Sequence, residues 1–199
     1  MVIRMKLYLV RHGETDWNLD SKIQGRTDTP LNDNGRRQAR ELADRVYEEL
    51  GGIRKIYSSG QKRALETARI IGSKLSISPV VYQGLEEICL GEWEGYTWKQ
   101  VRELFPEEYQ IWHQSRRYRI PPKGESYQQL LDRLLPTLDD IIRKEGQDIL
   151  IVTHSAVIMT LMSYIYDTPF EDMAKNYKTG NAMIVELDSE LFFDRYPGQ

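Results

Sequence analysis

The sequence predicts an α/β protein built as a three-layer sandwich, with a mostly parallel central sheet, helices on both faces and a small helical insertion. Three observations carry that expectation. Short apolar β-rich runs alternate with amphipathic stretches at helical spacing, the pattern of βαβ units. Two of the runs, Leu7-Tyr8-Leu9-Val10 and Ile149-Leu150-Ile151-Val152, are continuously apolar, as strands buried on both faces are. The chain of 199 residues suits one domain over 1–199 with a full core, and it shows no repeat, linker or low-complexity tract.

The elements follow in order. Met5 to Val10 reads as the first strand and stops at Arg11-His12-Gly13. From about Asn34, the spacing of Ala39, Leu42, Ala43, Val46 and Leu50 makes one apolar stripe of a helix, which Gly51-Gly52 ends. Ile53 to Tyr57 reads as a second strand running into Ser58-Ser59-Gly60, followed by a helix over 61–75 and a short strand from Pro79 to Tyr82. Residues 96–125 break the rhythm and read as the insertion. Thr97-x-x-Gln100 resembles a capping box, and Pro106 stands where a second short helix would begin. Ser126-x-x-Gln129 caps a long helix that Pro136 is expected to kink or end. The strand Asp148 to Thr153 leads into His154-Ser155 and another apolar helix, and Ala182 to Leu187 closes the sheet.

Composition and missing motifs exclude several functions. Basic and acidic residues nearly balance, 27 against 30, for a net charge of −3, which gives no electrostatic case for nucleic acid or anionic lipid as a partner. The single cysteine, Cys89, permits no intrachain disulfide and points to a reducing compartment. Arg4 and Lys6 interrupt the opening apolar stretch, and no run reaches the ~18 apolar residues of a membrane helix, so the expectation is a soluble, cytoplasmic protein. No glycines have the spacing of a dinucleotide fingerprint or a Walker A loop. Asp-x-Asp is absent, and Gly95 rather than arginine stands six places after Cys89, which removes the aspartyl-phosphate and cysteine phosphatase patterns.

In a parallel α/β sheet, ligands bind beyond the carboxyl ends of the strands. Here the first strand ends in Arg11 and His12, the second leads within a turn to Arg63, and a third ends in His154. Like charges gathered at one buried edge repel one another unless an anion lies between them.

Leu9-Val10-Arg11-His12-Gly13-Glu14-Thr15 resembles the signature of the histidine phosphatase superfamily, the phosphoglycerate mutase-like enzymes. Further motifs follow in the family's order. They include Gln24-Gly25-x-x-Asp28-x-Pro30-Leu31, Tyr57-Ser58-Ser59, Lys62-Arg63-Ala64, Leu85-x-Glu87, Gly91-x-Trp93-Glu94-Gly95 and Val152-Thr153-His154. Departures are small: Gly60 replaces a usual proline, Ser155-Ala156 a common Gly-Gly, and Lys123 the first glycine of a Gly-Gly-Glu-Ser stretch.

The resemblance implies a catalytic set of His12, Arg11, Arg63, Glu87 and His154, with Asn18, Gln24, Gly25 and Ser155 contacting the substrate's phosphate. His12 would be the nucleophile and Glu87 the proton donor, with no cofactor and no metal, because the arginines take the metal's place. Glu86, Glu92, Glu94 and His113 are expected to be structural, and Lys123 a solvated loop residue. The resemblance favours a phosphatase over a cofactor-dependent mutase, because Gln24-Gly25 replaces the mutase-like Gly-Trp and the insertion between Gly95 and Ser126 is short. A non-catalytic scaffold of the same fold is the other alternative. The implied partner is a small phosphorylated metabolite: a sugar phosphate, a phosphoglycerate, phosphoserine or α-ribazole phosphate. The insertion's aromatics and Arg116-Arg117-Tyr118-Arg119 are expected to overhang the pocket and select among these. That arginine run is too short to indicate a nucleic-acid reader. Oligomeric state is not legible.

Overall fold

The computed structural model describes residues 4–197. The strand β1 (Lys6–Arg11) forms where the first apolar run is expected, with its four central residues buried. Strand β2 (Ile56–Ser58) and strand β3 (Val80–Val81) are short, and β4 (Ile149–Thr153) is buried along its whole length. The last strand is β5 (Ile184–Asp188). The sheet order is β3-β2-β4-β1-β5. The first four strands run parallel, with Arg11 opposite Thr153 and Tyr57 opposite Ile151, and β5 is an antiparallel edge with Ile184 opposite Val10.

Alternating side chains feed two cores, which makes the three layers. Leu7, Leu9, Ile149 and Ile151 pack with α6 (Tyr127–Lys144), α7 (Ser155–Ile165) and Phe192 of α9 (Ser189–Arg195). Tyr8, Val10, Leu150 and Val152 pack on the opposite face with α2 (Asp33–Glu49) and α3 (Lys62–Leu75). The insertion holds α4 (Trp98–Leu104), started by the Thr97/Gln100 capping box, and α5 (Pro106–His113), with Pro106 in its first turn. The Ser126/Gln129 capping box starts α6 as expected.

Several boundaries differ from expectation. The second strand begins at Ile56 rather than Ile53, because Ile53 closes the Gly51-Gly52 turn by donating its N–H to the Leu50 carbonyl at 3.1 Å. Pro136 does not end α6, which continues to Lys144. Proline inside a helix costs ~3 kcal/mol, but Leu134, Leu138, Ile141 and Ile142 are all buried around it, each contributing roughly 1.5–3 kcal/mol. The short helices α1 (Asp16–Leu19), α8 (Met173–Tyr177) and α9 were not foreseen. None is long enough to show a helical period. No helix among the described residues is long and apolar enough to cross a membrane.

The approach of α2 to the loop after β1 fixes the site's floor. A Cβ on Gly13 would lie 2.5 Å from the Gly35 carbonyl oxygen, and one on Gly35 would lie 2.1 Å from that of Glu14. Glycine at both places lets the backbone after β1 lie directly on the start of α2.

Candidate active site

A cavity of about 350 Å³ opens at the carboxyl ends of the parallel strands, where this fold class binds ligands. Its floor is built from the turns after β1, β2 and β4. The His12 N–H donates to the Thr153 carbonyl at 3.1 Å, and the Ser59 N–H to that of Val152 at 3.0 Å, so the three turns are laced together. The two histidine rings stand 5.3 Å apart at 59°.

His12 is buried, and its Nδ1 lies 2.7 Å from the Gly13 carbonyl oxygen. A carbonyl only accepts, so Nδ1 carries the ring proton and Nε2 keeps its lone pair. Burial, then the positive charges of Arg63 and Arg11, hold the His12 pKa well below its ordinary 6.5. The ring is therefore neutral at pH 7. His154 is fully buried behind it, with Nε2 2.9 Å from the Ser59 hydroxyl. Burial and Arg63 depress its pKa likewise, which disfavours a positive charge on His154 before substrate binds.

The arginines supply the charge. Arg63 is completely buried at the start of α3. Nη1 donates to the Thr27 carbonyl and Nη2 to that of Gly25, both at 2.8 Å. Burial brings its pKa down to about 10, which leaves it charged at pH 7. Arg11 donates through Nη1 to the Thr179 carbonyl at 2.5 Å. In both arginines Nε is buried without a partner among the described residues, so each guanidinium keeps donors for an anion.

Glu87 closes the cavity on another side. Its Oε1 accepts the Ile88 N–H at 3.0 Å and its Oε2 that of Ala156 at 3.3 Å. Burial raises its pKa despite the opposing charge of Arg63. The carboxyl is thus shifted towards holding a proton.

The expected phosphate contacts all line the cavity. The Gln24 Oε1 accepts from the hydroxyls of Thr15 and Thr29, at 3.0 and 2.5 Å, which turns its amide nitrogen to other partners. The Asn18 Oδ1 accepts the Thr15 N–H and the Asn181 Nδ2, both at 3.1 Å, with the same consequence. Gly25 has φ +52°, and a Cβ there would strike the Glu94 carboxylate. Ser155 opens α7 at the rim.

Glu94 is structural as expected: its carboxylate accepts the backbone N–H groups of Arg26, Thr27 and Leu90, tying down the 24–27 loop. Glu86 accepts the Gly84 N–H, and Glu92 pairs with Lys123 at 2.7 Å on the surface. Lys123 has φ +57°, a backbone that glycine adopts more readily. Among the described residues no group of three or more His, Cys, Asp or Glu is placed to hold a metal ion.

One expectation is corrected. Arg116–Arg119 do not line the cavity, and of the insertion's aromatics only Trp98 does. Tyr109 and Trp112 pack on each other and on Trp93, which precedes the insertion, and the guanidiniums of Arg116 and Arg117 lie over Trp112 and Phe170. Burying these rings against each other removes more apolar surface from water than overhanging a polar cleft would.

Other contributors were missed. Gln61 donates to the Gly25 carbonyl at 3.0 Å and accepts the Glu87 N–H at 2.8 Å, joining the two loops that flank the cavity. It lies between the Tyr57-Ser58-Ser59 and Lys62-Arg63-Ala64 motifs, two places before Arg63, a position that could have marked it. Asn181 and Thr179 reach the floor from the opposite end of the chain, and no local pattern marks them.

The fold and this cationic floor define a phosphomonoester-handling enzyme. The family model of the histidine phosphatase superfamily (branch 1) matches residues 7–191, and the chain belongs to that family. It is 40% identical over 159 residues to phosphoglycerate mutase-like protein 4 of Arabidopsis thaliana, spanning 78% of this chain and 69% of that protein. Identity to the metal-independent phosphoserine phosphatase of the same plant is 38% over 160 residues, spanning 78% of this chain and 66% of that one. The solved structure of a phosphoserine phosphatase mutant from Entamoeba histolytica in complex with phosphoserine superposes with a TM-score of 0.79. It has 31% identity and covers 92% of this chain and 89% of that one. By class, the protein is a phosphoric monoester hydrolase.

Proposed function

We propose that the protein hydrolyses small phosphomonoesters through a phosphohistidine on His12. The observation that carries this reading is the His12 Nδ1 to Gly13 carbonyl hydrogen bond, which leaves Nε2 as an unprotonated nucleophile beside two guanidiniums.

In the first step the Nε2 lone pair forms a bond to phosphorus and the bond to the leaving oxygen breaks. Glu87, whose pKa burial raises, gives its proton to that oxygen. In the second step water attacks phosphorus, its proton passes to the Glu87 carboxylate, and the N–P bond breaks. Inorganic phosphate leaves, with His12 neutral and Glu87 protonated again. Arg11 and Arg63 balance the dianion's charge throughout, while the amides of Asn18 and Gln24 add neutral donors. The entering dianion also raises the pKa of His154, making it a better donor to the phosphoryl oxygens.

The test is hydrolysis of p-nitrophenyl phosphate in excess EDTA, followed by denaturing quench during turnover. The expected result is sustained turnover and an acid-labile, alkali-stable phosphoenzyme that is absent in His12→Ala. Turnover lost to EDTA, or retained by the variant, overturns the reading. The likeness to a phosphoglycerate mutase-like protein keeps a mutase as the second reading. Exchange between 2- and 3-phosphoglycerate faster than phosphate release would establish it.

A further inference from the structure

Beyond the phosphoryl floor, the cavity has apolar walls, among them Ile23, Leu90, Trp98, Tyr127 and Met159, and two more cations, Lys22 and Lys178. We infer that Lys178 determines specificity by reading a second anionic group, a carboxylate, on the substrate's leaving portion. This inference rests on the phosphatase reading above.

The charge count points to it. The phosphate dianion is balanced by Arg11 and Arg63, which both line the cavity. Lys22 is already paired with Asp20 at 3.0 Å. Lys178 lines the same cavity and makes no ion pair among the described residues. A simple phosphomonoester therefore offers Lys178, an exposed side chain on the cavity's lining, no anionic partner on its leaving portion. A substrate with one further carboxylate supplies one.

The backbone that carries Lys178 is anchored to the catalytic floor. Lys178 follows α8 directly, and the next carbonyl, that of Thr179, accepts from Arg11. Asn181 donates to the His12 carbonyl at 3.1 Å and to Asn18, and the Ala182 N–H donates to the Arg11 carbonyl at 3.0 Å. A segment held at four points sets the origin of the lysine side chain relative to phosphorus, which an ordinary surface loop would not do. Such positioning is what discrimination by charge requires.

The test compares substrates that differ only in the carboxylate: 3-phosphoglycerate against glycerol 3-phosphate, and phosphoserine against phosphoethanolamine. For the unmodified protein, kcat/KM is expected to favour the carboxylated member of each pair by roughly tenfold or more, the worth of one charge-assisted contact. Lys178→Met is expected to erase most of that preference through KM, and Lys178→Glu to reverse it. Equal kcat/KM within each pair, or a preference that survives both substitutions, overturns the inference.

Calorimetric binding of 3-phosphoglycerate and glycerol 3-phosphate to His12→Ala, with and without Lys178→Met, keeps this result apart from the fate of the phosphatase reading. A carboxylate preference that needs Lys178 supports the subsite even where turnover fails. Equal affinities overturn it even where turnover succeeds.

Discussion

The floor and the walls of the cavity are built on opposite principles. The principal charged and nucleophilic groups of the floor are held by backbone: His12 by the Gly13 carbonyl, Arg63 by those of Gly25 and Thr27, and Glu87 by the N–H groups of Ile88 and Ala156. The wall that the insertion contributes rests chiefly on ring packing, with Trp98 stacked on Trp112 at 5.4 Å and Trp112 edge-on to Trp93 at 5.2 Å. Backbone-held groups keep one geometry and suit chemistry on an invariant phosphoryl group. A wall of packed side chains can change without disturbing that chemistry.

Removing a floor residue should cost the most. His12→Ala is expected to lower kcat for p-nitrophenyl phosphate by at least ~10⁴-fold, as losing a covalent nucleophile does, without lowering the urea midpoint. Glu87→Gln should follow, with a loss of about 10²- to 10⁴-fold on substrates with alkyl leaving groups. In the formation of the phosphoenzyme it should cost far less on p-nitrophenyl phosphate, whose leaving group needs no proton, while the hydrolysis of the phosphoenzyme is slowed alike for every substrate. For the unmodified protein kcat should fall as pH rises through the raised Glu87 pKa, and this limb should disappear in Glu87→Gln. An equal loss in the rate of phosphoenzyme formation on both kinds of substrate would show that Glu87 positions rather than protonates.

The wall should respond in stability instead. Trp112 is 2% exposed and does not line the cavity. Trp112→Ala is expected to cost about 3–5 kcal/mol in urea unfolding, while kcat of the folded fraction stays within about threefold. A kcat loss comparable to that of Glu87→Gln would erase the contrast between floor and wall.

The smallest effect is the pH dependence of stability. His12 and His154 have folded pKa values depressed below 6.5, so below that pH the unfolded chain takes up protons that the native state refuses. Their contribution is present above about pH 6.5 and is lost on acidification. Glu87, with a raised folded pKa, works the other way by taking up a proton in the native state first. Two histidines outnumber one carboxyl, so stability is expected to fall as pH drops below 6.5. Urea midpoints at pH 7.5, 6.5 and 5.5 would read it; a rise towards pH 5.5 would mean that the histidines are charged in the native state.

The same contrast explains what the sequence revealed. Arg11, His12, Arg63, Glu87 and His154 were legible because each sits within a turn of an apolar run or in a motif with fixed spacing. The layer order was legible too, since continuous apolar runs at β1 and β4 admit only a sheet covered on both sides. Asn181 and Lys178 were not, because their place beside His12 exists only once β5 lies antiparallel against β1, more than 160 positions away in the chain. The insertion's aromatics were visible as a cluster, but composition could not say whether they pack on each other or over the pocket. Pro136 misled because local propensity was outweighed by the burial of its neighbours.

The covalent intermediate is the claim on which the rest depends, and the stereochemical course at phosphorus tests it most directly. A phosphomonoester made chiral with oxygen isotopes, with the phosphoryl group transferred in turnover to an alcohol acceptor standing in for water, reports how many displacements occur. Two in-line displacements, first by the His12 Nε2 and then by the acceptor, predict retention of configuration. Inversion would mean a single direct attack, and His12 would no longer be the nucleophile.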